Sequence, residues 1–123
     1  MNIYSIFVIP GALFLGTILF GIWLGVSGKP YSTALFNIHK LIALATVVFA
    51  IIKLLPYLKG NTPSSMIITM MVLAGLSIIA LFATGAMMSI IQEPPAIIFW
   101  IHRISTILML GGSITLLYQL NLV

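Results

Sequence analysis

Four apolar stretches, at about residues 3–26, 33–58, 65–91 and 96–121, make up almost the whole chain and constrain its fold more than any other feature. As an α-helix rising about 1.5 Å per residue, each is long enough to cross a hydrocarbon core of about 30 Å. In lipid a backbone must satisfy its own hydrogen bonds, which leaves helices or closed barrels. These stretches lack the apolar–polar alternation of barrel strands, so helices are expected. The breaks between them agree: "SGKPYS" (27–32) is a Gly/Pro turn, "LKGNTPSS" (58–65) a polar turn, and "QEPPA" (92–96) a double-proline turn. Ser32 or Thr33 can cap the second helix, Ser64 can cap the third, and Pro95 suits the first turn of the fourth. Pro56 falls near the end of the second helix, where a lost hydrogen bond costs little. Connections this short make successive helices antiparallel neighbours. The expectation is an all-α, integral membrane four-helix bundle running up-down-up-down, a single transmembrane domain over residues 1–123.

Composition identifies the solvent. Only 5% of residues are charged and 62% are hydrophobic, whereas a soluble domain carries about a quarter charged residues. The first partner is therefore a lipid bilayer. Five cations (Lys29, Lys40, Lys53, Lys59, Arg103) face one acid, Glu93. They form no patch dense enough for nucleic acid, so each must be explained by its depth. Without cysteine there can be no disulfide, thiolate metal site or covalent c-type haem. The first stretch lacks a basic leader and is long enough to span, so it reads as a helix rather than a cleaved signal. Lys29 and Lys59 lie in breaks on opposite faces and balance under the positive-inside rule.

The only two histidines sit in "FNIHKL" (36–41) and "FWIHRI" (99–104). Sliding residues 18–48 onto 81–111, an offset of 63, superposes them without a gap. His39 falls on His102, Lys40 on Arg103, Ile38 on Ile101 and Phe36 on Phe99; Lys29-Pro30 meets Gln92-Glu93, followed by Pro94-Pro95. The first helix pair thus reads as a repeat of the second. In an up-down-up-down chain the second and fourth helices run the same way. Each histidine is about seven residues past its helix start, roughly 10 Å below the same membrane face.

Imidazole is a standard ligand for iron and other borderline metals. A bare zinc or copper ion would need further ligands, and the chain offers neither cysteine nor a carboxylate at membrane depth. A haem brings four nitrogens and asks for one or two axial ligands, which His39 and His102 can supply. Lys40 and Arg103 follow directly, about 100° around each helix, with stems long enough to snorkel toward the loop face. They can pair with haem propionates or reach headgroup phosphates. At the same depth Gly21, Thr84 and Gly85 are small enough to let a flat ring approach the backbone, a composition that also suits plain helix–helix contact.

These residues resemble the four-helix membrane b-type cytochromes, including ferric-reductase-like proteins and the cytochrome subunits of hydrogenases and dehydrogenases. In that family paired helices supply axial histidines such as the one in "IHKLIALATVVFAIIKLL", and a small-residue "TG" on a neighbouring helix matches "LFATGAMMS". The resemblance implies one bis-histidine haem b per chain, electron transfer linked to quinone or a partner's cofactor, and other subunits of a redox complex. A prokaryotic cytoplasmic membrane is the location that goes with it. The chain departs from the family in one respect. Many members carry a second histidine about fourteen residues further on for another haem; here those positions are Lys53 and Leu116. A second haem ligated in the same way is not expected, so a quinone or partner would have to complete any route across the membrane.

Other polar residues have plainer readings. Lys53 can snorkel to the opposite headgroups or hydrogen-bond a quinone carbonyl. Thr46, Ser105, Thr106 and Ser113 suit bonds to helix backbones. Trp23, Tyr57 and Tyr118 suit interfacial anchoring. Trp100 can pack near His102, and Met87 and Met88 suit packing more than ligation. No nucleophile–base pair or carboxylate dyad is present. Two other classes stay open: a non-redox subunit, either transporter or assembly scaffold, and a chlorin-binding subunit. The lack of a membrane-embedded carboxylate counts against proton-coupled export.

Overall fold

The computed structural model describes residues 3–122. The fold is all-α, with four helices: α1 (Ile3–Ser27), α2 (Thr33–Gly60), α3 (Ser65–Ile90) and α4 (Ala96–Leu122). All four are long and apolar enough to cross a membrane. The expected boundaries hold to within two residues. α1 packs on α2 and α3 on α4, giving two compact units that meet in sequence between Thr62 and Pro63. Each unit is a helical hairpin.

The termini form where the local chemistry dictates. The Ser32 side chain accepts from the Leu35 N–H at 3.5 Å, and the Ser64 side chain accepts from the Ile67 N–H at 3.4 Å. Both serines therefore cap, satisfying amides that the first helical turn leaves without partners. Gly28 closes α1: its φ of +68° lies in the left-handed region, and its N–H donates to the Leu24 carbonyl at 3.1 Å. At the end of α3 the Ile91 N–H donates to the Met87 carbonyl at 2.9 Å. These two closing bonds are themselves 63 residues apart, as are the starts of α2 and α4 and the ends of α1 and α3. The offset seen in the sequence is thus also the register of the two hairpins.

Prolines modify this scheme. Pro95 lies just ahead of α4 rather than inside its first turn, and its carbonyl accepts from the Ile98 N–H at 3.0 Å. α2 continues four residues past Pro56, and α1 contains Pro10. Lacking an N–H, each withholds the usual donor from the carbonyl four residues earlier, Ile52 and Ile6 respectively.

Burial follows the logic of lipid. The buried side chains include Leu24, Ile67, Ile98 and Leu120, but also Thr46, Ser77, Thr84 and Ser105. Short polar side chains let helix backbones approach closely and can return their hydroxyl protons to helix carbonyls. Thr46 does so, donating to the Ile42 carbonyl at 2.8 Å and lying 3.4 Å from the Thr17 hydroxyl of α1. Large apolar side chains, by contrast, stand outward: Val26, Ile90 and Ile107 are among many that are well exposed. In water so much exposed apolar surface would drive association; in a bilayer it faces a matching solvent.

Candidate functional site

Both histidines lie about two turns into the second helix of their hairpins, and each imidazole is half-buried against the first helix. In the first hairpin, His39 Nδ1 is 3.0 Å from the Thr17 carbonyl oxygen. A carbonyl can only accept, so Nδ1 carries the proton and the ring lone pair is on Nε2. The ring edge rests on Gly21, where an added Cβ would stand 3.0 Å from His39 Cε1. Any larger residue there would make the imidazole or the helix give by a few tenths of an ångström.

In the second hairpin, His102 Nδ1 is 2.8 Å from the Thr84 hydroxyl. That hydroxyl lies 2.6 Å from the Ala80 carbonyl and 3.3 Å from that of Leu81. It has one proton, and the short contact to Ala80 claims it. The hydroxyl oxygen then accepts from His102 Nδ1–H, which in the neutral ring places the lone pair on Nε2 here as well. Thr84 is among the most buried polar residues of the chain. Gly85 also meets the ring, with an added Cβ 3.7 Å from His102 Cε1, an ordinary contact distance.

The two arrangements correspond residue by residue. Thr17 and Ala80 are 63 apart, as are Gly21 and Thr84. In one hairpin the imidazole reaches the matched carbonyl directly; in the other a threonine hydroxyl is interposed. His39 is thereby brought together with Gly21, and His102 with Thr84 and Gly85. The space expected to admit a flat macrocycle is taken up, at Gly21, by the imidazole. Sequence reasoning missed Thr17 and Ala80, because a backbone carbonyl leaves no mark on residue type.

The two adjacent cations lie outside these contacts. Lys40 is exposed, with Nζ 4.2 Å from the centre of the Phe36 ring one turn back, a cation–π geometry. Arg103 is exposed. Among the described residues, no three of His, Cys, Asp and Glu come together to hold a bare metal ion. What each hairpin does offer is one imidazole whose Nδ1 is held by a first-helix acceptor. A neutral imidazole whose other nitrogen is hydrogen-bonded is the form in which histidine ligates metals.

Comparison with protein-family models, with curated proteins and with solved structures finds no match.

Proposed function

We propose that the chain is a membrane electron-transfer subunit that binds one haem b, with His39 and His102 as its two axial ligands. One observation carries this reading. At matched positions, both imidazoles give their Nδ1 protons to first-helix acceptors, which leaves Nε2 as the ligating nitrogen. Two such donors fit a group that supplies its own four equatorial nitrogens, and would not complete a bare-ion site. Bound haem supplies a reversible one-electron couple. The chain's residues orient the imidazoles and surround them with apolar helices.

Lys40 and Arg103 are the partners proposed for the propionates, on long stems next to the ligands. The same reading places the chain in a larger redox complex of a prokaryotic cytoplasmic membrane, with quinone or a partner's cofactor as the further carrier. A non-redox reading is favoured by a different fact: both imidazoles already bridge two helices, which would suit a purely structural pin in a scaffold subunit.

The test is the absorption spectrum of the purified protein in detergent, oxidised and reduced, with a pyridine haemochrome assay. His39→Ala and His102→Ala are carried alongside. The expected result is a low-spin b-type spectrum near one haem per chain, lost or made high-spin by either substitution. A folded, colourless protein from haem-replete cells would favour the structural pin, and a chlorin spectrum would replace iron with magnesium chemistry.

A further inference from the structure

The first hairpin carries a second polar constellation at the end opposite its histidine. Ile6 of α1 and Ile52, Lys53, Pro56 and Tyr57 of α2 line a groove of about 410 Å³. The Tyr57 hydroxyl is buried and has no hydrogen-bond partner among the described residues. Lys53, half-buried, lies one helical turn deeper on the same helix.

Chemistry narrows what the groove can take. Tyr57 can donate one proton and the Lys53 ammonium three, so the occupant must present acceptors. Lys53 also needs negative charge near it. Residues 1–62 contain no aspartate or glutamate, so no acidic side chain of this hairpin can answer the lysine. A neutral carbonyl would satisfy the hydroxyl but leave the ammonium uncompensated in an apolar wall. An anionic oxygen group answers both, and leaves charge for the lysine only where its own headgroup carries no cation.

Depth identifies its source. Tyr57 is three residues, and Lys53 seven, from the end of α2 at Gly60. At about 1.5 Å per residue they lie roughly 5 and 10 Å inside the helix end. An ammonium at that level can extend outward along its stem to the headgroup layer. The remaining lining, Ile6, Ile52 and Pro56, is apolar and suits the start of an acyl chain.

We propose that this groove holds one anionic phospholipid, its phosphate bound between the Lys53 ammonium and the Tyr57 hydroxyl. The site is independent of haem binding and lies in the first hairpin alone. It differs from general attraction to headgroups in its stoichiometry and in its use of an uncharged donor.

The experiment uses the full chain, delipidated in neutral detergent and titrated with phosphatidylglycerol or with phosphatidylcholine of the same acyl chains. Retained lipid is counted by native mass spectrometry. One phosphatidylglycerol per chain is expected, held about tenfold more tightly than phosphatidylcholine. Lys53→Gln should lower retention about tenfold and Tyr57→Phe severalfold, with helical circular dichroism unchanged, whereas Lys59→Gln should leave it within about twofold. Tyr57→Phe decides the matter if Lys53→Gln does not fold. Equal retention of both lipids would overturn the proposal. So would equal losses in Lys53→Gln and Lys59→Gln, no change in Tyr57→Phe, displacement by millimolar inorganic phosphate, or a co-purifying neutral quinone in place of phospholipid.

Discussion

The two hairpins solve one problem in two ways. Each must hold an imidazole against a neighbouring helix and give its Nδ1 proton an acceptor at the same register. The first does so with an absence: Gly21 removes a side chain so that His39 reaches the Thr17 carbonyl directly. The second does so with a presence: Thr84 inserts a hydroxyl between His102 and the Ala80 carbonyl. The difference teaches that the acceptor register is the constant feature, and the residue at position 21 or 84 sets the distance to it. Identical substitutions should therefore have unequal consequences in the two hairpins.

Alanine at each glycine gives the largest expected contrast. At Gly21 an added Cβ would lie 3.0 Å from His39 Cε1, so the ring or the helix must give by a few tenths of an ångström. At Gly85 the corresponding distance is 3.7 Å, and the methyl fits. Overpacking costs about 1–3 kcal/mol, while Gly→Ala inside a helix gains up to about 1 kcal/mol. The helix gain is common to both variants and cancels, so Gly21→Ala is expected to be about 1–3 kcal/mol less stable than Gly85→Ala in reversible detergent unfolding. Equal stabilities would mean that the tight packing of His39 has no energetic consequence.

Removing a hydroxyl tests the other side of the comparison. Thr84→Val deletes the group that joins His102 to Ala80 and strands a buried Nδ1–H, at a cost of about 1–2 kcal/mol. Thr17→Val leaves the acceptor of His39 in place, because that acceptor is main chain. Its expected cost is within about 0.5 kcal/mol. Imidazole 15N chemical shifts supply the specific readout: the Nδ1 signal of His102 should move in Thr84→Val, and that of His39 should stay in Thr17→Val. A matching shift at His39 would show that the Thr17 hydroxyl, which donates to the Leu13 carbonyl at 2.9 Å, positions the carbonyl more than expected.

This asymmetry marks where sequence stops being legible. The four helices could be read directly, because apolar length, Ser32, Ser64 and Gly28 each impose a local constraint that no distant contact overrides. The repeat was readable from the aligned His-Lys and His-Arg pairs, and the same offset relates the helix ends. The nature of each histidine's partner was not. Gly21 and Thr84 announce only that they are small, and the acceptors of Thr17 and Ala80 belong to a backbone common to every residue. Pro56 does lie near the helix end, as its position implies, but α2 runs two residues past 58 to Gly60, placing Lys59 on helical backbone. In lipid, leaving a helix early exposes more unsatisfied carbonyls than a single proline does.

The smallest expected effect concerns the cations, where the repeat can be followed outward from the histidines. Lys40 lies over Phe36 with Nζ 4.2 Å from the ring centre. The aligned pair in the second hairpin is Phe99 and Arg103, with the same spacing and the same chemical types. An exposed cation–π contact contributes about 0.5–1 kcal/mol, so a double-mutant cycle of Lys40→Met and Phe36→Leu should give a coupling of that size. The same cycle on Arg103 and Phe99 is the comparison. An equal coupling would extend the shared register from the imidazoles to the cations and tie Lys40 and Arg103 to aromatic faces. A coupling at Lys40 alone would leave Arg103 the more available of the two for an anionic group beside His102. Repeating both cycles with haem bound then separates a lysine held by its ring from one that leaves it: loss of the Lys40–Phe36 coupling on loading is the expected sign of a propionate taking the ammonium.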